Sequence, residues 1–270
     1  MGEHSLSTWG YLTTPANVLA GASQFPVDLP PQPHAMQNVI MIAALIYHPK
    51  VWPIPFDTGA CEDMISSWGT KVVECAPRTW DKSTHGLPEV IRASGADEIT
   101  DIRAAVLSHL HYDHAGGLEH FVGAGWCKGM SFNLVYNTDL EIWCYEELKN
   151  AFWTDATGPE RATYLKDCLL VVQFKWKAFQ GQPFEIFRGI SFHRYPSHTV
   201  GSIAMELKLE KTGLVVLTGD AFHVKENYEG GIHPGTLTRA FNEWHRSREY
   251  IRTLVERKQA TVMTLHIPMR

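Results

Sequence analysis

The stretch Ser108-His109-Leu110-His111-Tyr112-Asp113-His114-Ala115-Gly116-Gly117 places four metal-binding side chains within six residues. Ala104 to Leu107, just ahead of it, reads as a short buried strand that delivers the cluster to a loop. Side chains two apart on an extended chain point to one side. His109 and His111 can therefore face one ion while the turn swings Asp113 and His114 toward another. Gly116 and Gly117 permit a tight exit from that turn. Imidazole and carboxylate suit zinc and its first-row neighbours, and a catalytic ion must keep one position for water. Crowding three imidazoles and a carboxylate brings no packing advantage, so the cluster reads as a metal site. An isolated histidine more often is solvated or hydrogen-bonded, and His4, His34, His48, His85, His120, His193, His233 and His245 are read that way.

Further candidate ligands follow the ends of expected strands. They are His198 in Tyr195-Pro196-Ser197-His198-Thr199-Val200-Gly201-Ser202, Asp220 in Leu217-Thr218-Gly219-Asp220-Ala221, and His266 in Thr264-Leu265-His266-Ile267. Strands are expected over 39–47, 51–56, 104–107, 133–136, 169–174, 190–195, 202–209, 214–217 and 261–267, with Lys211-Thr212-Gly213 turning a hairpin. Leu87, Val90 and Ile91 follow helical spacing and stop at Gly95. Leu237, Phe241, Trp244, Arg248, Ile251 and Val255 mark the longest helix. A helical insertion with an apolar face is expected near 139–166, from Trp143, Leu148, Phe152 and Trp153. Strands interleaved with helices imply an α/β layered sandwich rather than a bundle.

The 270 residues are 44% hydrophobic and 20% charged, which excludes disorder, collagen and coiled coil. At about 150 residues per domain this is one large domain or two small ones. Pro15, Pro26, Pro30, Pro31 and Pro33 oppose helix and ladder pairing, so residues 1–37 are read as a Pro-rich arm packed on a single domain, 38–270. A net charge of −5 without basic runs lacks the footprint of a nucleic-acid binder. The longest apolar run, Val39 to Tyr47, is nine residues, against about 20 for a membrane span. Met1-Gly2-Glu3-His4 carries no secretory pattern, and a cytoplasmic location is expected. Five separated cysteines without C-x-x-C argue against a disulfide scaffold or a thiolate zinc site.

The H-x-H-x-D-H run with its two glycines, His198 within Ser-His-Thr-x-Gly-Ser, Asp220 after Thr-Gly, and His266 in a terminal strand together resemble the metallo-β-lactamase superfamily over roughly residues 39–267. The resemblance implies an αββα four-layer sandwich with its ligand loops at one edge, where two similar halves meet. It implies two divalent ions, zinc in first place with manganese, iron or cobalt as alternatives. His109, His111 and His198 would bind one ion, Asp113, His114 and His266 the second, and Asp220 would bridge them.

The segment from Asp220 to Glu229, DAFHVKENYE, is similar to the lactonase-like branch, which includes N-acyl homoserine lactonases and fungal enzymes opening benzoxazolinone-type carbamates or γ-lactams. That likeness implies hydrolysis of a small cyclic ester, amide or carbamate by attack of metal-bound hydroxide. A glyoxalase II-like thioesterase or a phosphodiesterase is the alternative on the same fold, and a homodimer is compatible with either. His223 stands where bacterial lactonases of this branch carry tyrosine. It is the candidate to hydrogen-bond the ring carbonyl or protonate the leaving group. Asp57, in Phe56-Asp57-Thr58-Gly59, is either an acceptor for the far N–H of a ligand histidine or a turn-capping residue. Trp126, Trp143, Phe152, Trp153 and Phe222 would suit a small apolar ring or serve as core.

Overall fold

The computed structural model describes residues 4–15, 36–50, 53–95, 98–121, 140–146, 164, 174–181, 183–235 and 238–264. Its strands are β1 (His4–Pro15), β2 (Met36–Ile46), β3 (Ile54–Phe56), β4 (Arg78–Thr79), β5 (Ala104–Val106), β6 (Glu141–Tyr145), β7 (Lys175–Phe179), β8 (Phe184–Phe187), β9 (Ile190–Arg194), β10 (Ile203–Leu209), β11 (Gly213–Leu217) and β12 (Thr261–Met263). The first seven form one sheet in the order β4-β1-β2-β3-β5-β6-β7, and the last five form a second in the order β12-β11-β10-β9-β8. Strands β3, β5, β6 and β7 run parallel. The second sheet is antiparallel except for β12, which joins β11 in parallel. The helices are α1 (Met64–Trp68), α2 (Thr70–Cys75), α3 (Lys82–His85), α4 (Leu87–Ala93), α5 (Tyr112–Ala115), α6 (Lys225–Tyr228) and α7 (Phe241–Lys258).

Alternation along the strands produces the layers, because successive residues face opposite sides of a sheet. In β5, Val106 joins Ile46, Ile54, Phe56, Phe192, Met205, Leu207 and Leu217 between the sheets. Its neighbour Ala105 faces outward with Leu45, Ile142 and Cys144 toward Leu87, Val90 and Ile91 of α4. On the second sheet, Ala204 and Val216 face outward against Trp244 and Ile251 of α7. Helix, sheet, sheet, helix is the αββα sandwich expected. Each large side chain buried between the sheets contributes about 1.5–3 kcal/mol relative to exposure, so this central layer is the main source of cohesion.

Three expectations are corrected. Residues 4–15 are a strand, not part of an arm: β1 pairs with β2 from His4↔Ile46 to Pro15↔Met36 and with β4 at Tyr11 and Leu12. The backbone donors of β2 gain a partner that a loose arm would not supply. Residues 141–145 are strand β6 rather than helix, since Ile142 and Cys144 alternate with Trp143 between two parallel neighbours. The long helix begins at Phe241 instead of near Leu237, because the amides of Arg239 and Ala240 are bound to the Ser197 carbonyl at 2.8 and 3.1 Å. Residues 16–35, the strand expected at 133–136, nearly all of that at 169–174, and most of 147–166 lie outside the described residues.

Candidate metal centre

Four loops at the C-terminal ends of β3, β5, β9 and β11 meet at one edge of the sandwich, and they bring Asp57, the 108–114 run, His198, and Asp220 with His223 together. The residue after β3, Asp57, has φ +65°, a left-handed conformation that Asp tolerates better than most side chains. It carries three hydrogen bonds. Oδ1 accepts from the Ser108 amide at 2.7 Å, and Oδ2 accepts from Ser108 Oγ at 2.8 Å and lies 2.9 Å from His114 Nδ1. Ser108 Oγ in turn lies 3.0 Å from His109 Nδ1. One carboxylate thus fixes two imidazoles, one directly and one through a hydroxyl, and leaves the Nε2 atom of each turned inward.

The exit from the cluster requires glycine. A Cβ at Gly117 would sit 2.0 Å from the Thr58 carbonyl oxygen. The close approach lets the Gly117 amide bind Gly59 O at 2.9 Å and the Thr58 amide bind His114 O at 2.7 Å. Beyond permitting a tight exit, these glycines are constrained by contact with the loop after β3.

His198 reaches the same point from the second sheet. Its loop is shaped by Ser202 Oγ, which accepts from the Thr199 amide at 3.0 Å, and is tied to the first sheet by the Ile203 amide donating to Ser108 O at 3.0 Å. Asp220 follows β11. Asp220 Oδ1 lies 3.1 Å from His114 Nε2, and Oδ2 lies 3.4 Å from His198 Nε2 and 3.8 Å from His109 Nε2. Asp113 Oδ2 is 3.6 Å from His114 Nε2.

Ligand atoms of His109, His111, His198 and Asp220 all lie within 4.8 Å of one another, as do those of Asp113, His114 and Asp220, and every one of these residues is buried. The donor set fits divalent ions. Nε2 of His109 and of His111 is buried without a hydrogen-bond partner, a costly condition for a polar atom that a metal ion removes. Burial holds His109 and His198 well below the ordinary histidine value, with neighbouring histidines adding to the effect, and pushes His111 down to about 3 against the pull of Asp220. Neutral imidazole is the form that ligates. At His114 burial acts the same way, but the carboxylates of Asp220, Asp113 and Asp57 outweigh it and raise the value. Those three carboxylates call for positive charge beside His114, which a divalent ion would supply with the imidazole neutral.

His223 is buried at the rim of this cluster, with Nε2 at 3.4 Å from Asp220 Oδ2 and its ring 5.2 Å from that of His198. His266 lies outside the described residues. Phe222 does not line the site. It packs against Tyr228 and Trp244 beneath the second sheet, and Trp143 packs on the layer between the sheets. Trp126, Phe152 and Trp153 lie outside the described residues. Ser108, which joins Asp57 to His109, leaves no distinctive trace in sequence, since serine beside a histidine is common.

The fold and its donor set define a class, the two-sheet sandwiches that gather histidines and aspartates for metal ions at one edge. Residues 85–263 match the metallo-beta-lactamase superfamily, and this chain belongs to it. It is 31% identical over 135 residues to an N-acyl homoserine lactonase of Bacillus sp., a match covering 50% of this chain and 44% of that protein. It is 29% identical over 213 residues to an N-acyl homoserine lactonase of Bacillus thuringiensis, covering 74% of each. The matched stretch thus spans less than half of the first relative and about three quarters of the second. The solved structure of AidC, described as a dizinc quorum-quenching lactonase in complex with a homoserine product, superposes with a TM-score of 0.71 at 18% identity, covering 99% of this chain and 88% of that one. Among the described residues no helix is long and apolar enough to cross a membrane.

Proposed function

We propose that this chain is a metal-dependent hydrolase of the lactonase type, opening a small cyclic ester, amide or carbamate. The observation that carries the reading is the convergence of two overlapping donor groups on Asp220, inside a fold shared with lactonases. On this reading His109, His111 and His198 would hold one ion, Asp113, His114 and His266 the other, and Asp220 would serve both. Zinc is the first choice for such an imidazole and carboxylate set. Ions bound there supply water activated at neutral pH and polarise a carbonyl oxygen.

The chain's own residues do the rest. Asp57 keeps the Nδ1 of His114 engaged and, through Ser108, that of His109, so each ring offers Nε2 inward. Asp220 lies within reach of His109, His114, His198 and His223 at once. His223 faces the same carboxylate from the rim, where its Nε2 can carry a proton to the departing ring oxygen or nitrogen. Burial of the whole set excludes bulk water and strengthens each of these contacts.

A pH-stat screen of lactones, lactams and cyclic carbamates on zinc-loaded protein tests this, with chelated protein as the blank. Chelator-sensitive ring opening with one of the three ring types is the expected result, read as acid release for a lactone and as the separated amino product for a lactam or carbamate. Turnover of thioester or phosphodiester reporters alone would redirect the assignment to the alternative chemistries of this fold.

A further inference from the structure

The loop after β11 carries both Asp220 and His223, and its course is set by one fully buried side chain. Asn227 Oδ1 accepts from the amides of His223 and Val224, each at 2.9 Å, and Asn227 Nδ2 donates to the Ile232 carbonyl at 2.8 Å. The Asn227 amide donates to Val224 O at 3.0 Å, closing the loop on itself. Helix α7 fastens this unit from behind. Arg248 Nε donates to the carbonyls of Asn227 at 3.1 Å and Tyr228 at 2.9 Å, and its Nη2 donates to Glu229 O at 3.0 Å. One guanidinium thereby satisfies carbonyls at the end of α6 that so short a helix leaves open. One turn earlier on the same face, Trp244 Nε1 donates to Ala221 O at 2.9 Å.

The segment 221–229 is thus held at both ends and in the middle, and His223 is the titratable side chain between the fastenings that faces Asp220. Two consecutive amides bound to one oxygen fix the backbone of residues 223 and 224, and so the direction in which the imidazole leaves it. Asn227 spends its side-chain oxygen on two amides and its nitrogen on the Ile232 carbonyl, so its task is distinct from metal binding. We propose that Asn227, backed by Arg248, is the positioning residue that aims His223 at the reacting ring. This rests on the proposed role of His223 as proton donor.

In zinc-loaded protein, Asn227→Ala should lower kcat by about 10- to 100-fold, the scale of losses from misplacing a reacting group by about 1 Å, with both ions retained and KM within about twofold. In a His223→Ala background the same substitution should change kcat less than about twofold, because residues acting as one unit are not additive. A second readout is independent of turnover. The Cε1–H resonance of His223, assigned by its loss in His223→Ala, should move in Asn227→Ala while those of His120 and His245 stay. Asn227→Asp keeps the acceptor for both amides but loses the donor to Ile232 O, so it should move that resonance less than Asn227→Ala does. Should the alanine variant not fold, this second variant decides by its rates in the two backgrounds. Equal rate losses in both backgrounds, loss of metal, or a His223 resonance displaced as far in Asn227→Asp as in Asn227→Ala would overturn the assignment. If the protein opens no cyclic ester, amide or carbamate, the functional reading fails by itself, and the resonance shifts still decide whether Asn227 aims His223.

Discussion

Asp57 occupies a backbone conformation that disfavours side chains and is held there by three hydrogen bonds from the neighbouring loop. A non-glycine residue in that region carries roughly 1–3 kcal/mol of strain, which is tolerated because the carboxylate orients two of the donor histidines. Asp57→Asn keeps the size but lacks the charge to match His114, and metal affinity should fall about 10- to 100-fold, the usual range for such outer partners. Competition with a chromophoric chelator measures it, and an unchanged affinity would reduce Asp57 to a turn residue. His223→Ala should lower kcat by about 10²- to 10⁴-fold with metal content intact, and His223→Tyr should recover part of that loss. Elemental analysis beside steady-state kinetics separates this from ligand loss. The converging histidines and aspartates were legible in sequence because metal chemistry restricts such clusters to few residue types at fixed spacings. Ser108, Asn227 and Arg248 were not, since hydrogen bonding to a nearby hydroxyl or backbone group is open to many side chains, and only the fold says which groups are near.

Helix α7 is the element that joins the second sheet to the site. At its start the amides of Arg239 and Ala240 hold the Ser197 carbonyl beside His198, and farther along Trp244 and Arg248 hold the loop of Asp220 and His223. Its far end is seated on the sheet by Tyr250 Oη, 2.8 Å from His193 Nδ1, and by Lys258, whose ammonium donates to Glu206 at 2.8 Å. Glu206 also lies 3.0 Å from His193 Nε2. Burial lowers His193 below the ordinary histidine value despite Glu206. In the window from about 6.5 down to that lowered value the unfolded chain binds this proton and the folded chain does not, so stability must fall as pH drops through it. His193→Gln should remove up to one proton's worth of that dependence, about 1.4 kcal/mol per pH unit, seen as a flatter profile of denaturation midpoint against pH. Gly117→Ala should destabilise by more than about 2 kcal/mol because its Cβ would overlap the Thr58 carbonyl; a midpoint within error of wild type would refute the close-approach argument. At this scale the sequence was partly legible. The runs at 39–47, 104–107 and 202–209 declare themselves by sustained apolarity or alternation, whereas β6 is five residues long and its Trp143 reads equally well with Leu148, Phe152 and Trp153 as one apolar helical face. Leu6, Thr8, Tyr11 and Leu12 carry strand character too, but proline density beyond Pro15 masked it, and the partner strand lies across a separation of about 20 to 40 residues.

Across the whole molecule, the donor set is divided between the sheets. His109, His111, Asp113 and His114 follow a strand of the first, and His198 and Asp220 follow strands of the second. Ions bound between them would tie the two sheets together, so metal removal should act on global stability as well as on turnover. For one site filled at a free concentration 100 times its dissociation constant the expected gain is about 2.7 kcal/mol. Thermal unfolding with and without chelator, beside a count of about two ions per chain, checks this; a transition unmoved by chelation would place the metals outside the folding equilibrium. The layered architecture was legible because strand and helix patterns alternate along the chain, while the pairing order of the strands is a property of distant partners. That order has a consequence for how the molecule is made. The strands of the first sheet come from residues 4–179 and those of the second from 184–263, so a ribosome releases one sheet before it has translated the other. During that interval the inner faces of Ile46, Phe56 and Val106 have no second sheet to cover them. The nascent first half is therefore the stage most exposed to aggregation and most dependent on chaperones, and its donor set stays half complete until His198 and Asp220 emerge.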